Sequence, residues 1–197
     1  MERVFPTENL EDLFEEFPGG FELETTFWYK ETDKASYRQD LLLKGDPETK
    51  RISGSILNVK SESEPRYHEK ILKESGVRYE DRQLKIENPD FKPTDVMAKN
   101  FLLTTLQIDK EFLHNLKLIS KEYSFESGNG ELIYQINNDS VSRVFGNTEA
   151  VDSTLRIGLP DDFLSGFQFV SSVTLKENGL EYNEVFRELK GVRDNGK

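Results

Sequence analysis

The 197-residue chain carries 37 acidic against 26 basic side chains, for a formal net charge of -11 and an isoelectric point near 4.8. Its long-range field repels nucleic acid and anionic surfaces, so a nucleic-acid partner is not expected. Cysteine is absent, which excludes disulfides, thiolate nucleophiles and zinc-thiolate sites. A mean hydropathy of -0.66 is polar, yet 14 Phe, 7 Tyr and one Trp provide bulky core material.

The first element is a short amphipathic helix, with Leu10, Leu13, Phe14 and Phe17 at i, i+3, i+4 and i+7 and Pro18-Gly19-Gly20 as its stop. From Phe21 to Lys60 the pattern is a ladder. Phe21, Leu23, Thr25, Phe27 and Tyr29 share one face of a strand, while Glu22, Glu24, Thr26 and Lys30 take the other. Tyr37, Leu41 and Leu43 resume the alternation after a polar turn, and Gly45-Asp46-Pro47-Glu48-Thr49 reads as a hairpin loop. In the returning segment Ile52, Gly54 and Ile56 lie on one face and Leu57 and Val59 on the other, which predicts a bulge near Ile56 with Gly54 making room for it.

Further strands are predicted at Lys70–Glu74, at Val77 with Tyr79, and at Leu84 with Ile86, separated by Ser75-Gly76 and Glu80-Asp81. Helix formers from Thr94 predict a helix to about Gln107, and Phe112, Leu113, Leu116 and Ile119 predict a second over Asp109–Lys121. Ser127-Gly128-Asn129-Gly130 forces a turn. Strands follow at Leu132–Ile136, Thr154–Leu159, Phe167–Leu175 and Leu180–Leu189, with a short helical or irregular link around Val141–Phe145 and a hairpin at Asn178-Gly179. No linker or repeat divides the chain. The expected fold class is α+β: one domain over residues 1–197, a curved, half-barrel-like antiparallel sheet with the N-terminal helix and the central helical segment packed on it, and flexible ends at 1–6 and 191–197.

No residue set converges on catalysis. His68 and His114 lack a partner motif and read as surface histidines, and no serine sits in a nucleophile motif: Ser53-Gly54-Ser55 and Ser165-Gly166 read as strand or turn. Glu15-Glu16 and Asp161-Asp162 read as solvated faces, as do Lys50-Arg51 and the lysines of 110–121. Glu126, Asn129 and Glu131 lack the order of a calcium loop, and Asn138-Asp139-Ser140 is a glycosylation triplet of the kind that arises by chance. We therefore expect no enzyme, no metal and no cofactor. Trp28 falls on the polar face of its strand, where the ordinary outcome is a covering helix and the functional one a binding face with Thr26 and Tyr37.

The opening run Phe5-Pro6-Thr7-Glu8-Asn9-Leu10-Glu11-Asp12-Leu13, followed by a Phe27-Trp28 strand, resembles the start of the tandem-type lipoproteins of Gram-positive bacteria, the conserved staphylococcal antigen family. Leu41-Leu42-Leu43 to Lys60, Lys99-Asn100-Phe101, Tyr134 to Asp139 and Leu155 to Leu175 resemble later landmarks of that family in order. The resemblance implies export and a diacylglyceryl-modified cysteine upstream of Met1, and so a cell-membrane protein lipid-anchored on the extracytoplasmic face. It supplies no catalytic residues. The expected function is a non-enzymatic binding module for an unknown protein partner; the alternative is a lipid or glycolipid carrier whose curved sheet encloses an apolar cavity.

Overall fold

A computed structural model describes residues 7–98, 100–126, 130–145, 152–159, 170–177 and 179–189. Ten strands form one antiparallel sheet in the order β5-β4-β3-β2-β1-β10-β9-β8-β7-β6, with β5 and β6 as free edges, so the sheet does not close into a barrel. The strands are β1 (Phe21–Lys30), β2 (Ala35–Gly45), β3 (Ile52–Glu62), β4 (His68–Glu80), β5 (Gln83–Ile86), β6 (Lys117–Tyr123), β7 (Gly130–Asn137), β8 (Asp152–Leu159), β9 (Val170–Glu177) and β10 (Leu180–Glu188). The chain meanders outward from β1 to β5, crosses to the opposite edge through residues 87–116, and meanders back until β10 pairs with β1. With its few short helices on one face, this is the α+β fold expected from the sequence.

The β1 ladder behaves as its alternation dictates. Phe21, Leu23, Thr25 and Phe27 are buried on the inner face and their even-numbered neighbours are half-buried on the outer one. In the β2–β3 loop the Asp46 carboxylate accepts from the backbone N–H of Glu48 (2.8 Å) and Thr49 (3.0 Å), which closes the turn and holds that carboxyl below its usual range. Gly54 lies against the Leu42 carbonyl, where any Cβ would collide.

The inner face is covered by short helical pieces. A 3-10 turn (Leu10–Asp12) running into α1 (Leu13–Glu16) delivers Leu10, Leu13, Phe14 and Phe17. Phe17 packs at 4.6 Å on Phe186, which lies 5.7 Å from Phe21, and Phe14 is 5.1 Å from Phe21. α2 (Leu102–Thr105) and α4 (Asp139–Val144) add Leu102, Leu103, Val141 and Val144, all fully buried. α3 (Lys110–His114) contributes Phe112 and Leu113 at the margin.

Several local expectations need correction. The bulge lies between Asn58 and Val59 in the β3–β4 pairing, where Leu72 of β4 is the extra residue, and β3 runs unbroken along β2 through Ile56. Ser75-Gly76 does not interrupt β4. The helix predicted from Thr94 to Gln107 is a 3-10 turn (Pro93–Asp95) and the four residues of α2, because Val96 and Phe101 are extended and the hydroxyls of Thr104 and Thr105 bond back to the Phe101 carbonyl at 3.0 and 2.9 Å. The helix predicted over Asp109–Lys121 ends at His114, and Lys117–Tyr123 is drawn into the sheet by pairing with β7. The turn at 127–129, Pro160 to Gly166, Asn178, Lys99 and both chain ends lie outside the described residues.

Candidate functional site

The crossover does not lie flat on the sheet. Between it and the inner face of β1, β2, β4 and β5 is a half-open cavity of about 920 Å³, within the range of roughly 300–1,000 Å³ typical of small-molecule pockets. Its floor is Thr25, Leu41, Tyr79, Leu84 and Ile86 from the strands, and its roof is Phe91, Val96, Ala98 and Phe101 from the crossover. Polar groups lie among these: Glu8, Arg82, Gln83, Lys92 and Asn100 also line the space and are exposed to solvent. A mainly apolar floor and roof, with the buried Thr25 and Gln39 among them and polar groups open to water, is an arrangement that suits an amphiphile.

Two polar clamps hold the roof. At one, Gln39 and Asn58, both buried on the inner face, donate to the Asp95 carbonyl at 2.8 and 3.0 Å, and Gln39 accepts from the Met97 N–H at 2.9 Å. The Asp95 carboxylate pairs with Lys73 at 2.7 Å and accepts from the Lys92 N–H at 2.6 Å; the Lys73 bond, then the Lys92 one, hold this carboxyl below its usual range. These bonds fix the segment as a fold-back instead of a helix.

The second clamp is Glu184 on β10. Its carboxyl is buried and accepts from the N–H groups of Leu102 and Leu103, both at 2.9 Å, and from the Tyr182 hydroxyl at 2.6 Å. Burial raises its pKa to about 7, and the three donors oppose that rise. The Tyr182 phenol is pushed well up, first by burial and then by the neighbouring Glu184 charge. Glu184 anchors the start of α2 to the centre of the sheet. The sequence offered a signal for it: a carboxylate on the apolar face of a strand, between Tyr182 and Phe186. Gln39, between Tyr37 and Leu41, is the same kind of signal.

The residues singled out as a binding face do not share one face. Trp28 and Thr26 are on the outer surface, whereas Tyr37 is on the inner one, stacked on Tyr29 with centroids 5.1 Å apart and 11° between planes. Trp28 stands between Glu181 of β10 and Arg38 of β2, beside a shallow groove shared with Thr154 and Lys176. The helices covering the core pack on the opposite face, so the expected helical cover of Trp28 is replaced by solvent and neighbouring strands. Thr26 donates to Asp40 at 3.2 Å, and Asp40 pairs with Arg38 at 2.8 Å.

His68 pairs with Glu62 at 2.9 Å and His114 ends α3, both exposed. Among the described residues no group of three or more His, Asp or Glu is placed to hold a metal, and no helix is long and apolar enough to cross a membrane. Ser53-Gly54-Ser55 lies within β3, and Glu15-Glu16 is exposed at the end of α1.

The class defined by fold and site is an open antiparallel sheet whose short helical cover leaves a ligand-sized cavity on the inner face. No family model matches the chain, and neither does any curated protein, so the staphylococcal resemblance gains no support there. Among solved structures it is similar to the crystal structure of the Mycobacterium tuberculosis lipoprotein LppX, at 11% identity over 89% of this chain and 90% of that one, with a TM-score of 0.35. A likeness this weak carries no functional argument.

Proposed function

We propose that this chain is a non-enzymatic carrier of an acyl-chain amphiphile, a lipid or glycolipid, held in the cavity beneath the crossover. The observation that carries the reading is the cavity itself: about 920 Å³ of space walled mainly by Leu41, Tyr79, Leu84, Ile86, Phe91, Val96 and Phe101, with the buried Thr25 and Gln39 among them and further polar groups where it meets solvent. A core built only for stability fills such space with side chains. The carrier works at the extracytoplasmic face of a cell membrane, tied there by an N-terminal lipid anchor; this placement draws on the resemblance of Phe5–Leu13 to the tandem-type lipoproteins, and an upstream reading frame without a lipobox cysteine contradicts it.

Titration with a fluorescent fatty acid tests the carrier reading. Saturable binding is expected, and Leu84→Trp, which intrudes on the cavity from the edge strand, is expected to weaken it. Absence of binding to the wild-type protein overturns the proposal. A second reading, a protein-docking module, is favoured by Trp28 on the outer face, away from the described helices that cover the core; Trp28→Ala then weakens capture of a protein partner and leaves fatty-acid binding intact.

A further inference from the structure

The cavity is polar at its inner end. Leu84 and Ile86 stand on the edge strand β5, whereas Thr25 stands on β1, four strand spacings in from that edge, a depth of about 19 Å at roughly 4.8 Å per spacing. Thr25 and Gln39 line the space although they are only 4% and 3% exposed. The pairing of β1 with β2 sets Thr25 against Leu41 and Phe27 against Gln39. The two polar side chains are therefore diagonal neighbours on one sheet face, with backbones about 7–8 Å apart.

The hydrogens of this end are engaged elsewhere. Both amide hydrogens of Gln39 are donated, to Asn58 at 2.5 Å and to the Asp95 carbonyl at 2.8 Å, while its oxygen accepts from the Met97 N–H at 2.9 Å. An amide oxygen has two lone pairs, so one remains. The Tyr182 proton goes to Glu184 at 2.6 Å, and the Thr25 hydroxyl hydrogen-bonds the Tyr182 phenol with its own proton, which leaves the Thr25 oxygen as an acceptor. Thr104 and Thr105, which line the same space from α2, donate to the Phe101 carbonyl at 3.0 and 2.9 Å. Lone pairs without hydrogens face the space. Valine would meet the strand and apolar requirements at position 25 without such an oxygen.

An acceptor-only end discriminates by chemistry. It disfavours a carboxylate or a doubly ionised phosphate, which bring no hydrogen. A buried ammonium would lack a countercharge there, since Glu8, the one acid among the described lining residues, is exposed, and Glu184 is occupied by its three donors. A neutral O–H is the group that matches. Within the carrier reading above, on which this rests, we propose that Thr25 and Gln39 form a hydroxyl-recognition site at the inner end of the cavity, and that the ligand is a hydroxylated acyl chain entering with its hydroxyl-bearing end first. Thr25 is the residue to test, because Gln39 also clamps the roof.

The experiment is competition against a bound fluorescent fatty acid on the full chain, with hexadecanoate, ω-hydroxyhexadecanoate and monohexadecanoylglycerol below their micellar concentrations. ω-Hydroxyhexadecanoate is expected to bind about threefold or more tightly than hexadecanoate, the span of one net hydrogen bond. Thr25→Val is expected to lower its affinity about tenfold, because the buried hydroxyl loses an acceptor, and to leave hexadecanoate within about twofold. Thr25→Ser keeps the oxygen and is expected to keep the preference. Hexadecanoate binding as tightly as ω-hydroxyhexadecanoate to the wild type overturns hydroxyl recognition whether or not the variants fold, and leaves the carrier reading intact. Equal weakening of both acids by Thr25→Val assigns Thr25 a structural role through Tyr182 and also overturns it. Monohexadecanoylglycerol binding more tightly than ω-hydroxyhexadecanoate, with that advantage lost in Thr25→Val, puts headgroup hydroxyls at the inner end and overturns the acyl assignment. Failure of all three to bind overturns the carrier reading and this proposal together.

Discussion

Phe21 and Thr25 stand four residues apart on the same face of β1, yet one is locked in an aromatic cluster and the other borders open space. The difference lies in what covers them. Over Phe21 the α1 segment delivers Phe14 and Phe17 at helical spacing, and β10 adds Phe186. Over Thr25 the cover is an extended crossover held off the sheet by the polar groups of Gln39, Asn58 and Glu184. One strand face thus borders a packed core or a cavity according to whether the covering backbone has its own face to insert.

The largest expected effect is on the packed side. Phe186→Ala removes a ring 2% exposed and should cost about 3–5 kcal/mol in denaturant unfolding; a loss below about 1 kcal/mol would mean that this half is as loosely filled as the other. Next is the clamp between the halves. Glu184→Ala strands the N–H groups of Leu102 and Leu103 and the Tyr182 hydroxyl, at about 1–3 kcal/mol for each buried unsatisfied donor, and removes the desolvation cost of the buried carboxyl, for a net loss of about 2–4 kcal/mol.

The same residue predicts a pH signature. Its folded pKa of about 7 lies above the ordinary value of 4.5, so the folded state holds a proton more tightly than the unfolded one between those values. The stability this group contributes is fully present below about pH 4.5 and is lost as pH rises through 7. Unfolding midpoints at pH 5 and 8 should therefore separate in the wild type by more than in Glu184→Gln, and equal separations would show that Glu184 does not titrate in this window.

On the hollow side Leu84→Trp should change stability by less than about 1 kcal/mol, because the added ring enters existing space without forcing neighbours apart. Overpacking of the usual size would show that the cavity collapses in solution. The smallest effect is expected at Trp28→Ala on the outer face, about 1 kcal/mol or less by thermal melting, with amphiphile binding unchanged.

Legibility in the sequence divides along the same line. The strands β1 to β3 and β7 to β10 were readable because alternation records a half-buried face directly, and the α1 segment because four apolar residues at helical spacing meet a Pro-Gly-Gly stop. The cavity roof was not. Val96 to Gln107 carries helix-forming residues, but its conformation is decided by bonds to Gln39, Asn58 and Glu184, which are 37 to 82 residues distant in sequence. Lys117–Tyr123 failed for a related reason: Leu116 and Ile119 extend a helical pattern, and only pairing with β7 shows the segment to be a strand. The polar residues on apolar strand faces, Gln39, Asn58 and Glu184, were the readable trace of the site, since such groups need partners that the strand itself cannot supply.

Native mass spectrometry of the protein purified from the membranes of its expression host tests the carrier claim most directly. The account predicts a non-covalent adduct with the mass of one amphiphile, present in the wild type and reduced in Leu84→Trp. A bare wild-type protein that also fails to take up added amphiphile would contradict it.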